Sequence, residues 1–342
     1  MMASSVNWPP RLNLAYLPTP LQLLERLSER LGGPRIWVKR DDLTGSTLSG
    51  NKVRKLEFTL AHAINQQHDV LITCGGLQSN HCRATAFAGA QLGIPVHLIL
   101  RGDLEKLDGN VLLDHLAGAK ITTYPTKQYQ TNLTNILNAT ANDYQARGYK
   151  PYIIPTGASD AMGVWGYFAA CQELKQDFRE HKIQPELIVV ATGSGGTQAG
   201  LTLGSEFFKL RVNVLGMAVC DDRAYFQQKV EEDITGFRDQ FESLFVESFP
   251  SEYSINTNDQ YIGEGYGVAC DSLLETIALL AREEGILLDP VYSGKAFHGL
   301  IQEIKQGNLS GMSDVVFIHT GGSFGLFPYR QQLQSVISKE FA

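Results

Sequence analysis

The groups in this chain that could do chemistry are lysine amines, hydroxyls and glycine-rich turns, and they gather in four segments. The first, Thr47–Phe58, reads TLSGNKVRKLEF. Ser49-Gly50-Asn51 is a turn-forming cluster of N-cap type, which places Lys52 at the very start of a helix. The partial positive charge of a helix N-terminus disfavours an ammonium there. It favours the neutral amine, the form that attacks an aldehyde. Lys55 lies three residues on, a neighbour on the same helical face. On its own, Lys-x-x-Lys reads as a solvated basic face, and only the other three segments argue otherwise.

The second segment, Val70–Ala86, reads VLITCGGLQSNHCRATA: an apolar strand, a Gly-Gly turn and the polar run Gln78-Ser79-Asn80-His81 before a helix. Loops at the C-terminal ends of strands form the ligand crevice of an open α/β sheet. Hydroxyls and first-turn amides at that place suit a carboxylate, although Ser79 or Asn80 would also serve as a plain helix cap. The third segment, Leu187–Gly200, reads LIVVATGSGGTQAG. Its strand runs into Gly193-Ser194-Gly195-Gly196-Thr197, where backbone amides can turn toward one anion at a helix start. The Walker Gly-Lys-Ser/Thr ending is missing, and a dinucleotide fingerprint fits poorly, so a single phosphate suits the loop better. The fourth group joins GILLDPVYSGK, from Gly285, to VVFIHTGGSFGL, from Val315. There Tyr292, Ser293 and Thr320 offer hydroxyls, and Gly321-Gly322 permits close backbone approach.

Positioning these segments requires a particular framework. Short β-branched runs (36–39, 70–74, 96–100, 121–124, 187–191, 212–219 and 315–319) alternate with stretches of helical period (21–31, 52–66, 80–92, 133–147, 161–179, 197–210, 271–284 and 293–306). Such alternation predicts parallel sheets with helices on both faces. Gly/Pro/Ser clusters near Gly45–Gly50 and Gly148–Ser159 mark boundaries. They predict a smaller α/β domain, 51–159, inserted into a larger one made of 1–50 plus 160–342.

Bulk properties narrow the classes of function. The net charge of −7 and the lack of a long basic run argue against nucleic acid. The five cysteines are widely spaced and form no CxxC pair, which argues against zinc or a disulfide framework and for a reducing cytoplasm. No apolar run is long enough to span a membrane, and the first residues lack the features of a secretory signal.

Taken together, SGNKVRKLEF, QSNH, the glycine loop and HTGG resemble the tryptophan-synthase-like (fold type II) enzymes that use pyridoxal 5'-phosphate (PLP). Leu17-Pro18-Thr19-Pro20-Leu21 and Val38-Lys39-Arg40-Asp41-Asp42 extend the likeness over nearly the whole chain. It is nearest to the branch of D-cysteine desulfhydrase and 1-aminocyclopropane-1-carboxylate (ACC) deaminase. The resemblance implies two three-layer α/β domains and a homodimer. Lys52 would be the Schiff-base lysine and Asn80 the partner of the PLP 3'-hydroxyl. Ser79, Asn80 and His81 would receive the substrate carboxylate, Lys55 and Gly193–Thr197 the phosphate, and Tyr292 would sit over the cofactor. It further implies that Lys52, Ser79 and Tyr292 are the catalytic groups, with no metal. ACC deaminases carry Glu and Leu where this chain has Ser293 and Thr320, a pair that resembles the desulfhydrases. A hydroxyl beside the pyridine nitrogen makes a shallower electron sink than a carboxylate does. That suits α-proton removal with loss of a good leaving group, and the expected reaction is β-elimination of D-cysteine to pyruvate, ammonia and hydrogen sulfide. ACC deaminase, L-cysteate sulfo-lyase and a non-catalytic PLP-binding protein are the alternatives.

Overall fold

The computed structural model describes residues 6–246, 248–249 and 252–340. From the N-terminus the chain forms β1 (Leu21–Leu23), α1 (Glu25–Leu31), β2 (Arg35–Lys39), α2 (Asn51–Asn65), β3 (Val70–Gly76), α3 (Asn80–Leu92) and β4 (Val96–Arg101). There follow α4 (Gly109–Leu116), β5 (Lys120–Tyr124), α5 (Thr126–Ala146), β6 (Pro151–Ile153), α6 (Ala161–His181), β7 (Leu187–Thr192) and α7 (Gly196–Phe207). The remainder is β8 (Asn213–Ala218), α8 (Arg223–Phe241), β9 (Asn256–Asn258), α9 (Asp271–Glu284), α10 (Ser293–Lys305), β10 (Asp314–Ile318) and α11 (Arg330–Glu340). No helix among the described residues is long and apolar enough to cross a membrane.

Two sheets result. A six-stranded sheet runs β1-β2-β10-β7-β8-β9, parallel except where β1 pairs antiparallel with β2, and a four-stranded parallel sheet runs β5-β4-β3-β6. The central strands β3, β4, β7 and β10 are buried on both faces, which is why they read as continuous apolar runs. In the larger sheet Val189, Val315 and Phe317 pack on α1, α9 and α10, while Ile188, Val190 and Val316 pack on α6 and α7. In the smaller sheet Leu71, Leu98 and Leu100 meet α2 and α3, and Ile72, Cys74 and Ile99 meet α5. The expected pair of three-layer α/β units with mainly parallel sheets is the observed architecture. All strands of the smaller sheet fall within 70–153, and the larger sheet draws on both chain ends.

Three local expectations change. Residues 21–31 are not one helix: Leu21–Leu23 form an edge strand against β2, and the helix starts only at Glu25, because pairing with a neighbouring strand overrides local period. Helix α5 begins at Thr126, a full seven residues earlier than the apolar pattern indicates, since its first turns are polar. Three short strands and helices α4, α8 and α11 were not anticipated. Of these, α8 had a signal, for Phe226, Val230, Ile234 and Phe237 recur at helical spacing and are all buried.

Candidate active site

Six strand ends converge on one cavity of about 510 Å³. Its wall is made by Gly75-Gly76 ending β3, Arg101 ending β4, Pro155–Gly157 after β6, Thr192–Gly195 after β7, Cys220-Asp221 after β8 and Thr320 after β10. All are C-terminal ends, the edge where parallel α/β sheets leave a crevice.

Lys52 lies on this wall at the start of α2. The helix begins without a side-chain cap. Gly50 precedes it at φ 95°, and Asn51 N–H donates to Thr320 O at 3.1 Å. A Cβ on Gly50 would stand 2.7 Å from that same carbonyl, so only glycine lets α2 dock on the end of β10. Burial is the main reason why the Lys52 ammonium is brought down to about 8, with the charge of Asp289 opposing. Desolvation acts in the same direction as the helix dipole invoked from sequence. Lys52 Nζ donates to Asn51 Oδ1 at 3.1 Å, and Asn51 Nδ2 donates to Thr197 Oγ1 at 3.0 Å.

Across the cavity the Gly193–Thr197 loop opens α7. A Cβ on Gly157 would lie 2.3 Å from Ser194 Oγ and 3.4 Å from Lys52 Cε, so lysine and loop face the same small space. Lys55 is fully buried and stands behind the loop: its Nζ donates to Gly157 O at 2.7 Å and Ser159 Oγ at 3.0 Å. Ser159 in turn donates to Ser194 Oγ at 2.8 Å and accepts from Gly196 N at 3.1 Å. Lys55 therefore stands one layer back, its amine pushed well below the ordinary lysine range chiefly by burial, while Ser159 and Lys229, neither evident in the sequence, line the wall itself. Lys229 is anchored by Asp233, one helical turn further along α8.

The Ser79–His81 turn brings three groups to the wall. Ser79 also caps α3, its Oγ accepting from Cys82 N at 3.2 Å, so the capping and site readings hold together. Asn80 Oδ1 accepts from Asn110 Nδ2 at 2.8 Å, which leaves its own amide NH2 as the donor for a ligand oxygen. His81 Nε2 pairs with Thr73 Oγ1 at 2.8 Å, and its Nδ1 has no hydrogen-bond partner among the described residues. Burial, and then the charges of Lys52 and Lys55, hold its imidazole well below the usual range, hence neutral. Gln78 is not on the wall; it bonds the start of α4 through Asp108 O and Asn110 N.

On the remaining side Tyr292 shares a 2.5 Å hydrogen bond with the hydroxyl of Tyr266, a residue the sequence did not single out. Burial raises Tyr266 to about 12 and Tyr292 well above the ordinary phenol range, so both are protonated at neutral pH. The Arg101 guanidinium covers the Tyr266 ring at 4.7 Å. Thr320 is on the wall, but Ser293 is not. The Ser293 hydroxyl donates to Asp289 Oδ1 at 2.7 Å and is fully buried. The same carboxylate accepts from the amides of Val291, Tyr292 and Ser293 at 2.8–2.9 Å and so shapes the turn that presents Tyr292.

These groups fit PLP. A buried, readily neutralised amine faces a glycine cradle backed by Lys55 and Lys229, an amide donor lies at Asn80 and a hydroxyl at Thr320. A side chain on Gly196 would intrude on Lys55 Nζ at 2.7 Å and Ser159 Oγ at 2.8 Å.

Comparison with known proteins agrees with that fit. The family model described as pyridoxal-phosphate dependent enzyme matches residues 12–321. A protein from Arabidopsis thaliana named bifunctional D-cysteine desulfhydrase/1-aminocyclopropane-1-carboxylate deaminase, mitochondrial, is 40% identical over 95% of this chain and 81% of its own length. The D-cysteine desulfhydrase of Salmonella schwarzengrund is 39% identical over 94% of this chain and 96% of its own. Among solved structures, an ACC deaminase homologue superposes with a TM-score of 0.87 at 35% identity, covering 96% of each chain. An L-serine ammonia-lyase from Rhizomucor miehei shares the fold at a TM-score of 0.66 and 18% identity.

Proposed function

This chain belongs to the pyridoxal-phosphate dependent enzymes, and we propose that within them it is a lyase that eliminates hydrogen sulfide from D-cysteine. With water taken up, one D-cysteine yields one pyruvate, one ammonia and one hydrogen sulfide. The observation that carries this reading is Thr320. It is a hydroxyl on the cavity wall beside the docking point of α2, and it would serve as the partner of the cofactor's pyridine nitrogen. When bound, the cofactor draws electron density from the α-carbon of an attached amino acid, and a hydroxyl partner keeps that withdrawal modest. Ser293 would act indirectly, by holding Asp289 and the Tyr292 turn.

The protein's own groups then divide the work. Ser79 Oγ and the first amides of α3 receive the substrate carboxylate, and Asn80 Nδ2 orients the cofactor ring. The glycine loop, Ser159 and Lys229 hold the phosphate, with Lys55 one layer behind them. Lys52 Nζ, neutral in a large share of molecules near pH 8, takes the α-proton. The Tyr292–Tyr266 pair holds protons next to the departing sulfur. Positioned proton transfer of this kind contributes roughly 10²–10⁴-fold. The same reading makes the enzyme a cytoplasmic homodimer, and its five cysteines are free thiols.

The test is to supply D-cysteine, L-cysteine, ACC and L-cysteate to the purified holoenzyme and to follow sulfide, sulfite and keto acid. Sulfide with equimolar pyruvate from D-cysteine is expected; faster keto acid formation from ACC, or sulfite from L-cysteate, overturns the assignment. The bifunctional name of the Arabidopsis relative favours ACC as the second reading. The double variant Ser293→Glu, Thr320→Leu separates the two: D-cysteine turnover should fall and ACC cleavage rise.

A further inference from the structure

Tyr266 is carried by a loop, residues 259–270, that leaves the larger sheet after β9 and reaches over to the smaller one. At its tip the Tyr266 ring packs close to Gly76, where a Cβ would come within 3.1 Å, and lies under Arg101 at the end of β4. Gly263, Gly265 and Gly267 all have positive φ, so the segment has little intrinsic preference for one path. Something else has to fix it.

That something is Lys295, one helical turn into α10 from Tyr292. It is 3% exposed, and no carboxylate is bonded to its amine among the described residues. Instead Nζ donates to three backbone carbonyls: Ile262 O at 2.7 Å, Gly265 O at 2.5 Å and Val219 O at 3.3 Å. Two of the carbonyls belong to the Tyr266 loop and one to the segment after β8. An ammonium gathering backbone carbonyls does what a bound monovalent cation does, but from a fixed point on the helix that also presents Tyr292.

We propose that Lys295 is a positioning residue: its ammonium organises the 259–270 loop so that the Tyr266 hydroxyl meets that of Tyr292 over the cavity. This rests on the reading of the tyrosine pair as the proton-holding group. It predicts that removing the cation releases the loop without disturbing the cofactor cradle on the far wall, and that a free ammonium restores it. A small apolar cavity of about 160 Å³ beside Lys295, bordered by Tyr261, Val268 and Leu273, gives a free amine room to enter.

The experiment compares wild type, Lys295→Ala, Lys295→Met, Tyr266→Phe and the double variant Lys295→Ala, Tyr266→Phe, all loaded with PLP. In Lys295→Ala, amide hydrogen exchange should quicken across 259–268 but not in the Gly193–Thr197 loop, with PLP absorbance retained. Turnover should drop at least about tenfold in kcat with KM little changed. n-Propylammonium should reverse both effects, whereas Lys295→Met, which keeps the bulk but lacks the charge, should be as slow as Lys295→Ala. The double variant should be no slower than Tyr266→Phe alone. Unchanged exchange in the loop, wild-type activity of Lys295→Met, or additive losses in the double variant overturn the assignment of Lys295. Wild-type turnover by Tyr266→Phe sinks the underlying reading of the tyrosines instead, and the exchange result then still reports on the loop.

Discussion

Lys52 is denied water, which favours its neutral amine over the ammonium. Lys52 keeps an amine brought down to about 8 chiefly by burial, so cofactor uptake should depend on pH in a defined sense. Below that value the ammonium dominates and cannot attack an aldehyde; above it the amine is free. Uptake of PLP by cofactor-free protein should therefore quicken about tenfold per pH unit up to pH 8 and then level off, as stopped-flow absorbance at the visible edge would record. A rate that climbs to pH 10 unbroken would show an unperturbed lysine, and Lys52→Ala should form no such band at all. At the same scale Lys55, which the family resemblance implies as a phosphate contact, is bonded to Gly157 O and Ser159 Oγ behind the cradle.

Elements act by bringing chain ends together. Helix α2 docks on β10 through Gly50 and Asn51, and α7 opens at the glycine loop, so lysine and cradle face one another although they are far apart in sequence. The cradle has no spare room at Gly196, where a methyl would stand 2.7 Å from Lys55 Nζ. Gly196→Ala should weaken PLP binding at least about tenfold, roughly 1.4 kcal/mol, in an absorbance titration, while the Lys52 band at saturation is preserved. Unaltered affinity would mean that the phosphate lies elsewhere. These element starts were legible in the sequence because glycine, small polar residues and apolar runs each have one local meaning there. Tyr266, Ser159 and Lys229 were not, because their loops and helix carry no motif and reach the cavity only through packing.

Across the whole molecule the VKRDD segment is structural: Lys39 and Asp41 are buried, and Arg40 and Asp42 are half-buried. Arg54 of α2 bonds Asp41 at 2.7 and 2.8 Å and Glu173 of α6 at 2.9 and 3.1 Å, and Lys39 of β2 bonds Glu173 at 2.5 Å and Asp177 at 2.6 Å. The network ties the Lys52 helix to the larger sheet. Burial alone would raise Glu173, but its bonds to Arg54 and the charges of Arg54 and Lys39 bring it down to about 2. A carboxylate depressed in the folded state adds stability above its unfolded value near 4.5, and that stability is lost as pH falls toward 2, about 3 kcal/mol in all. Glu173→Gln should accordingly lower the thermal midpoint at pH 7 and lose that deficit between pH 4.5 and 2; a gap that persists at pH 2 would place the effect elsewhere. The sequence by itself determined the layered α/β architecture, the lysine at a helix start and the glycine turn, since period, propensity and backbone freedom are local. Only the tertiary structure decided that Thr320 and not Ser293 reaches the cavity, that Lys55 stands behind the cradle and that Tyr266 meets Tyr292 on the opposite side, because burial and long-range hydrogen bonding between distant segments set which way each side chain faces.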